Sequence, residues 1–316
     1  MRKLLTGAIA ALLASSTMAA DLLAPPGMPA QVAAALREIG PKIDGARTGP
    51  LYAPLFPKEP YEGVKLTRDL AYGPHERHRL DVFAPPGKSV APKGKGMPIV
   101  VFVHGGGFSR GAKHSDGSPF YDNIGLWAAG QGMLGITVNY RLAPQFPYPA
   151  GVEDLERVVA WVKAHAREHG GDPARLYLWG HSAGGAHVAD YLVRVKKPAV
   201  AGAVLTSGIY TLGNTVSAWK DYYGADVSLY AARESLPLLA KSPVPLLVTG
   251  AELDPPNFVA DTEALVKSRQ SSGKPTRSVT LPGHSHISET YAVGSADQSL
   301  SAPVLQFIRD FPGDSR

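Results

Sequence analysis

The chain has 316 residues, 44% of them hydrophobic, enough to bury a large core as one domain or as one domain with a cap. Its 32 Lys and Arg against 27 Asp and Glu give a net charge of +5, scattered along the chain with no basic run, which argues against a nucleic-acid role. There is no cysteine, so a thiol nucleophile, thiolate metal sites and disulfides are excluded.

Met1-Arg2-Lys3 is a positively charged start, residues 4–13 form an apolar stretch, and Thr17-Met-Ala-Ala20 offers small residues for cleavage. Residues 1–20 therefore read as a secretory signal peptide, with an uncleaved anchor as the alternative; Gly7 and the serines interrupt its apolar run. No other run is long and apolar enough to span a bilayer. Residues 21–63 are rich in Pro and Gly around one helical patch, 29–39, with Val32, Leu36 and Ile39 on one face. They form an N-terminal arm that either packs over the site or wraps the surface.

Two strands follow, 64–72 and 79–84, joined by the turn Gly73-Pro-His-Glu76, and then an exposed Pro/Gly/Lys loop over 85–98. The apolar run 98–104 is a central strand buried on both faces. It leads into His104-Gly-Gly-Gly-Phe108, where three glycines let backbone N–H groups turn into a cavity instead of a ladder. A phosphate cradle is the competing use of such a loop, but no G-x-G-x-x-G or G-K-[ST] pattern accompanies it.

A helical patch at 126–129 ends at Gly130 or Gly132; a strand at 134–140 and a proline-studded loop at 141–150 follow. Residues 152–169 are an amphipathic helix, with Val152, Leu155, Val158, Val159 and Val162 at helical spacing and Gly170-Gly-Asp-Pro173 as the stop. The short apolar strand 176–179 runs into Gly180-His-Ser-Ala-Gly184, the G-x-S-x-G turn that lifts a serine above a sheet, and a helix continues beyond Gly185. Strands at 198–206, 244–249 and 277–281, helices at 259–270 and 303–311, and an aromatic, irregular segment at 208–242 complete the chain. Strands alternating with helices imply an α/β fold with a mostly parallel, doubly wound sheet, residues 208–242 being a possible cap segment.

A serine hydroxyl is a poor nucleophile at neutral pH and needs an imidazole base oriented by a carboxylate. Ser182, Asp254 and His286 each fall just after an expected strand, in the Ser…Asp…His order of α/β hydrolases. Glu252 is the rival acid; Asp254 is preferred because Pro255 and Pro256 fix the backbone beyond it. His284 shares the loop of His286, and spacing alone does not separate the two.

His104-Gly-Gly-Gly-Phe108, Asn139-Tyr-Arg-Leu-Ala-Pro144 and Gly180-His-Ser-Ala-Gly-Gly185 together resemble bacterial α/β-hydrolase esterases of the hormone-sensitive-lipase-like group. The relatives of that group include feruloyl-esterase-like and kynurenine-formamidase-like hydrolases. The resemblance covers residues 72–311 and implies the α/β-hydrolase fold with an N-terminal arm and small cap elements. It places the base at the second histidine of the loop, His286, and the oxyanion donors on the N–H groups of Gly105, Gly106 and Ala183. One departure stands out: the group usually reads Gly-Asp-Ser-Ala-Gly at the elbow, where this chain has His181.

These readings lead to an exported serine carboxylesterase acting on short acyl or aryl esters through an acyl-enzyme. An arylformamidase with the same triad and a non-catalytic binding module are the alternatives. Phe108, His181, Trp219 and Tyr222 are candidate pocket residues; His104 and His187 read as structural, Asp261 as a solvated helix residue, and Arg141 as an ion-pair partner of Glu153 and Asp154. The reading calls for a small-molecule ester substrate, no cofactor, no metal and no nucleic acid. It also calls for no stable membrane insertion after signal cleavage, and leaves the oligomeric state open.

Overall fold

The computed structural model describes residues 24–87 and 96–313; the expected signal peptide, residues 1–20, lies outside them. Among the described residues eight strands form one sheet: β1 (Lys65–Ala71), β2 (Arg79–Ala84), β3 (Met97–Val103), β4 (Leu134–Val138), β5 (Gly171–His181), β6 (Gly202–Thr206), β7 (Leu246–Leu253) and β8 (Thr276–Ser285). Their spatial order is β1-β2-β4-β3-β5-β6-β7-β8. β1 and β2 run antiparallel at one edge, and every pair from β4 to β8 is parallel. This is the mostly parallel α/β sheet that the alternating pattern implied, in the α/β-hydrolase arrangement that the resemblance implied.

Alternation along the central strands sorts the core into two layers. Val101, Val103, Leu176 and Leu178 face α4 (Ala150–His165) and α5 (Ala183–Arg194), meeting Leu155, Val158, Val162 and Val188. Val100, Phe102, Tyr177 and Trp179 face α3 (Asp122–Gly130) and α11 (Ser301–Asp310), meeting Ile124, Trp127, Val304 and Phe307. Arg141 is pinned as expected, its Nε 2.7 Å from Asp154 and its Nη2 2.8 Å from Glu153.

Several local features differ from the sequence reading. The N-terminal arm holds α1 (Ala30–Ile39) and also α2 (Gly45–Tyr52), whose Gly45, Gly49 and Pro50 argue against a helix on propensity alone. Asp44 rescues it by accepting the Arg47 N–H at 2.9 Å, while Tyr52 anchors it in the core. β5 begins at Gly171, not Leu176, because a register break between Met97 and Ile99 accommodates the extra residues. The aromatic segment folds into three short α-helices, α6 (Lys220–Tyr223), α7 (Tyr230–Arg233) and α8 (Leu236–Leu239), with a 3-10 turn at Val227–Leu229. Asp261, in α9 (Pro256–Ser271), is buried and not solvated: it accepts the Tyr210 N–H at 3.1 Å and the Thr211 hydroxyl at 2.5 Å. Among the described residues no helix is long and apolar enough to cross a membrane.

Candidate active site

Ser182, Asp254, His286 and the glycine loop each begin at the residue immediately past the carboxyl end of a strand: β5, β7, β8 and β3. In a parallel sheet those ends share one side, so the topology alone gathers the candidate groups. Between β5 and α5, Ser182 sits at φ 55°, ψ −123°, a conformation that costs about 1–3 kcal/mol for a residue with a side chain. Close packing enforces it. A Cβ on Gly180 would lie 2.3 Å from the Gly184 carbonyl oxygen, and one on Gly184 would lie 2.1 Å from that of Val103. The Ser182 N–H donates to Thr206 at 2.9 Å, tying the elbow to β6.

The glycine loop lies against the serine: a Cβ on Gly105 would come within 3.0 Å of the Ser182 Cβ. Gly106 has φ 129°, and a Cβ there would meet the Arg110 carbonyl oxygen at 2.1 Å. Among the described residues, the N–H groups of Gly105 and Gly106 find no acceptor. That of Ala183 opens α5, where helix donors have no intrahelical partner. His104 braces the loop from below, donating from Nδ1 to the Gly105 carbonyl at 2.6 Å. Burial pushes its pKa down to about 3, so the ring is neutral.

His286 donates from Nδ1 to Asp254 Oδ1 at 2.7 Å, which fixes its tautomer and leaves Nε2 without a proton and able to accept one. That Nε2 is buried without a hydrogen-bond partner, and His286 lines the same cavity as Ser182. The other Asp254 oxygen accepts from Ser207 Oγ at 2.6 Å and from the Ala251 N–H at 2.9 Å. The rivals are committed elsewhere. Glu252 accepts the Gly283 N–H at 2.6 Å, and His284 sits 3.1 Å from both Ser288 Oγ and the Asp297 carboxylate.

The cavity measures about 510 Å³ and takes in Trp219, Phe120 and Tyr291, with Ile43 to Ala46 of the arm forming part of its wall. Two of the expected pocket residues are not in that wall. Phe108 stacks on Tyr222 with centroids 4.5 Å apart, and both are buried in an aromatic cluster under the cap turns, where the Tyr222 hydroxyl accepts the Gly151 N–H. His181 borders the cavity, but its Nε2 donates to the His286 carbonyl at 2.7 Å, so it holds the base loop. Ile43, Phe120 and Tyr291 went unseen in the sequence because nothing local links them to the elbow. A larger hollow, about 700 Å³, lies at the amino ends of β5, β6 and β7 and contains none of these groups.

Among the described residues, two clusters carry metal-type donors, His181–His286–Glu289 and Glu59–His114–Asp122. In the first, His286 is held by Asp254; in the second, Arg68 reaches Glu59 at 2.8 Å and Asp122 at 2.6 Å. The second set is thus engaged by protein partners, whereas in the first His181 Nε2 and His286 Nδ1 are taken and Glu289 is not.

A family model described as alpha/beta hydrolase fold matches residues 100–289, the span from β3 through the base loop. The chain belongs to the α/β-hydrolase family. Among relatives of this α/β hydrolase, carboxylesterase NlhH of Mycobacterium tuberculosis is 43% identical over 90 residues, 28% of this chain and 27% of that protein. The chain spans well under half the length of the curated relatives it first matches, from 27% to 42%. Among solved structures, a bacterial heroin esterase superposes with TM-score 0.66 at 26% identity, covering 90% of this chain and 98% of the other. Esterase B of Lactobacillus rhamnosis shares the fold at TM-score 0.66 and 18% identity, covering 79% and 86%.

Proposed function

We propose that this α/β hydrolase is an exported serine carboxylesterase that cleaves short acyl or aryl esters of small molecules. The observation that carries the reading is His286, tethered to Asp254 at 2.7 Å with its other nitrogen unpartnered in the cavity that holds Ser182. The relatives named as esterases support the ester over the formamide. In the proposed reaction Ser182 Oγ attacks the ester carbonyl carbon while its proton passes to His286 Nε2. The N–H groups of Gly105, Gly106 and Ala183 hold the oxyanion. Collapse expels the alcohol, which takes the proton from His286, and a water then repeats the sequence to release the acid. A cavity of about 510 Å³ with aromatic walls suits a compact substrate better than a long acyl chain.

Ser182→Ala and His286→Ala should each lower turnover of a short-chain p-nitrophenyl ester by several orders of magnitude without unfolding the chain. Near-full activity of Ser182→Ala would refute the assignment. A matched aryl formamide, run beside the ester, must turn over more slowly. Export is supported by the composition of residues 1–20. N-terminal sequencing of the cell-envelope form should begin after Ala19 or Ala20, and an intact Met1 would count against export.

A further inference from the structure

Glu289 lies in the short helix α10 (Ser288–Tyr291), three residues beyond His286, and is fully buried. Neither carboxyl oxygen makes a well-formed hydrogen bond. Four groups from three segments bear on it. His181, ending β5, places Nε2 3.4 Å away; Ser207 follows β6; Asp254 follows β7; and Tyr210 is the buried phenol that feels its charge. No Lys or Arg acts on it among the described residues.

A buried acid without a cation keeps its proton. Burial, and then the Asp254 carboxylate, push the Glu289 pKa well above the usual range, against a smaller opposing pull from Ser207. His181 supplies no compensating charge. Its Nε2–H is spent on the His286 carbonyl, its Nδ1 is buried with no hydrogen-bond partner, and burial together with His286 pushes its pKa well down. The pair is a neutral acid against a neutral imidazole.

We propose that Glu289 is a positioning residue for the triad: an uncharged carboxyl set against His181 and Ser207, the side chains that hold the His286 main chain and the Asp254 carboxylate. The idea rests on the triad reading above. His181 fixes the carbonyl of the residue that carries the base. Ser207, itself at φ 44°, occupies Asp254 Oδ2 so that Oδ1 is left for His286. Shrinking Glu289 frees both holders at once. Ionising it would set a second anion beside Asp254 and strengthen the grip of His286 on its proton.

The test compares Glu289→Gln, which keeps the shape without charge, and Glu289→Ala in the full chain, reading kcat, KM and the pH profile on a p-nitrophenyl ester. Glu289→Gln should keep kcat within about threefold and leave the acid limb of kcat/KM in place, whereas Glu289→Ala should lower kcat about tenfold or more at similar KM. A downward move of the acid limb in Glu289→Gln, or wild-type kcat in Glu289→Ala, would overturn the proposal. If Glu289→Ala does not fold, His181→Gln, which keeps a donor for the His286 carbonyl, should exceed His181→Leu in kcat by about tenfold; equal rates would overturn it. Ser182→Ala, run in parallel, separates the two failures. Activity in Ser182→Ala would sink the triad reading and this proposal together, while an inactive Ser182→Ala beside a fully active Glu289→Ala would sink only this one.

Discussion

Tyr140 holds His104 twice: the two rings stack with centroids 4.3 Å apart, and the tyrosine hydroxyl donates to the His104 carbonyl at 2.8 Å. The glycine loop thus starts from a residue fixed in both ring and main chain. Tyr140→Phe keeps the stack and orphans a buried carbonyl, a loss of about 1–3 kcal/mol. Calorimetry should show a lower Tm, and steady-state assays a kcat reduced severalfold with KM little changed. An unaltered kcat would mean that the loop needs no such support.

Gly106→Ala tests the loop directly. At φ 129° with the Arg110 carbonyl oxygen 2.1 Å from the new Cβ, the backbone must shift. Loss of one oxyanion donor lowers kcat by about 100-fold or more. KM should hold, and labelling of Ser182 by a fluorophosphonate should slow in step.

Buried imidazoles make the fold sensitive to acid. Burial pushes His104 and His187 down to about 3, while the unfolded chain titrates them near the ordinary value of about 6.5. Below that pH the unfolded state binds protons the native state refuses, so their contribution is whole above about pH 6.5 and drains as pH falls toward 3. His187→Leu carries a shape cost that does not vary with pH and removes one titrating group. Urea midpoints should show the variant gaining on the wild type between pH 8 and pH 5.

Asp190 works in the opposite direction. Burial raises its pKa to about 7, against a weaker pull from Arg194. The native state holds a proton that the unfolded chain releases near pH 4, so this contribution is present at low pH and lost as pH rises through about 7. Asp190→Asn should therefore gain stability relative to the wild type from pH 5 to pH 8, measured by the same urea series.

Arg68 joins two fully buried carboxylates, Asp81 at 2.8 Å and Asp122 at 2.6 Å. Removing one partner leaves buried charge uncompensated, at a cost of about 3–5 kcal/mol. Lys113 still reaches Asp81 and Tyr61 still reaches Asp122, which favours the lower end. Arg68→Met should lower Tm strongly, and the Asp81→Asn, Asp122→Asn background should recover part of the loss.

Much of the sheet and the elbow was legible because their signals are local. The apolar runs of β3 and β5, and the glycines whose missing Cβ atoms permit a 2.1–2.3 Å approach, are written in adjacent residues. What stayed hidden depends on partners far along the chain. Asp261 looked solvated until Tyr210 and Thr211 claimed it. Phe108 and Tyr222 looked like pocket walls, yet they satisfy each other. Glu289 carried no motif at all; its position matters only because β5, β6 and β7 end around it.

The proposed base, His286, follows β8, an edge strand whose sole strand neighbour among the described residues is β7. The proposed nucleophile, Ser182, follows β5, which is bracketed by β3 and β6. Peeling away the last strand would carry off His286 while leaving the elbow, the glycine loop and most of the helical layer in place. On the proposed function, turnover is a gauge of one margin of the sheet, and in mild denaturant it should fail before the far-UV signal does.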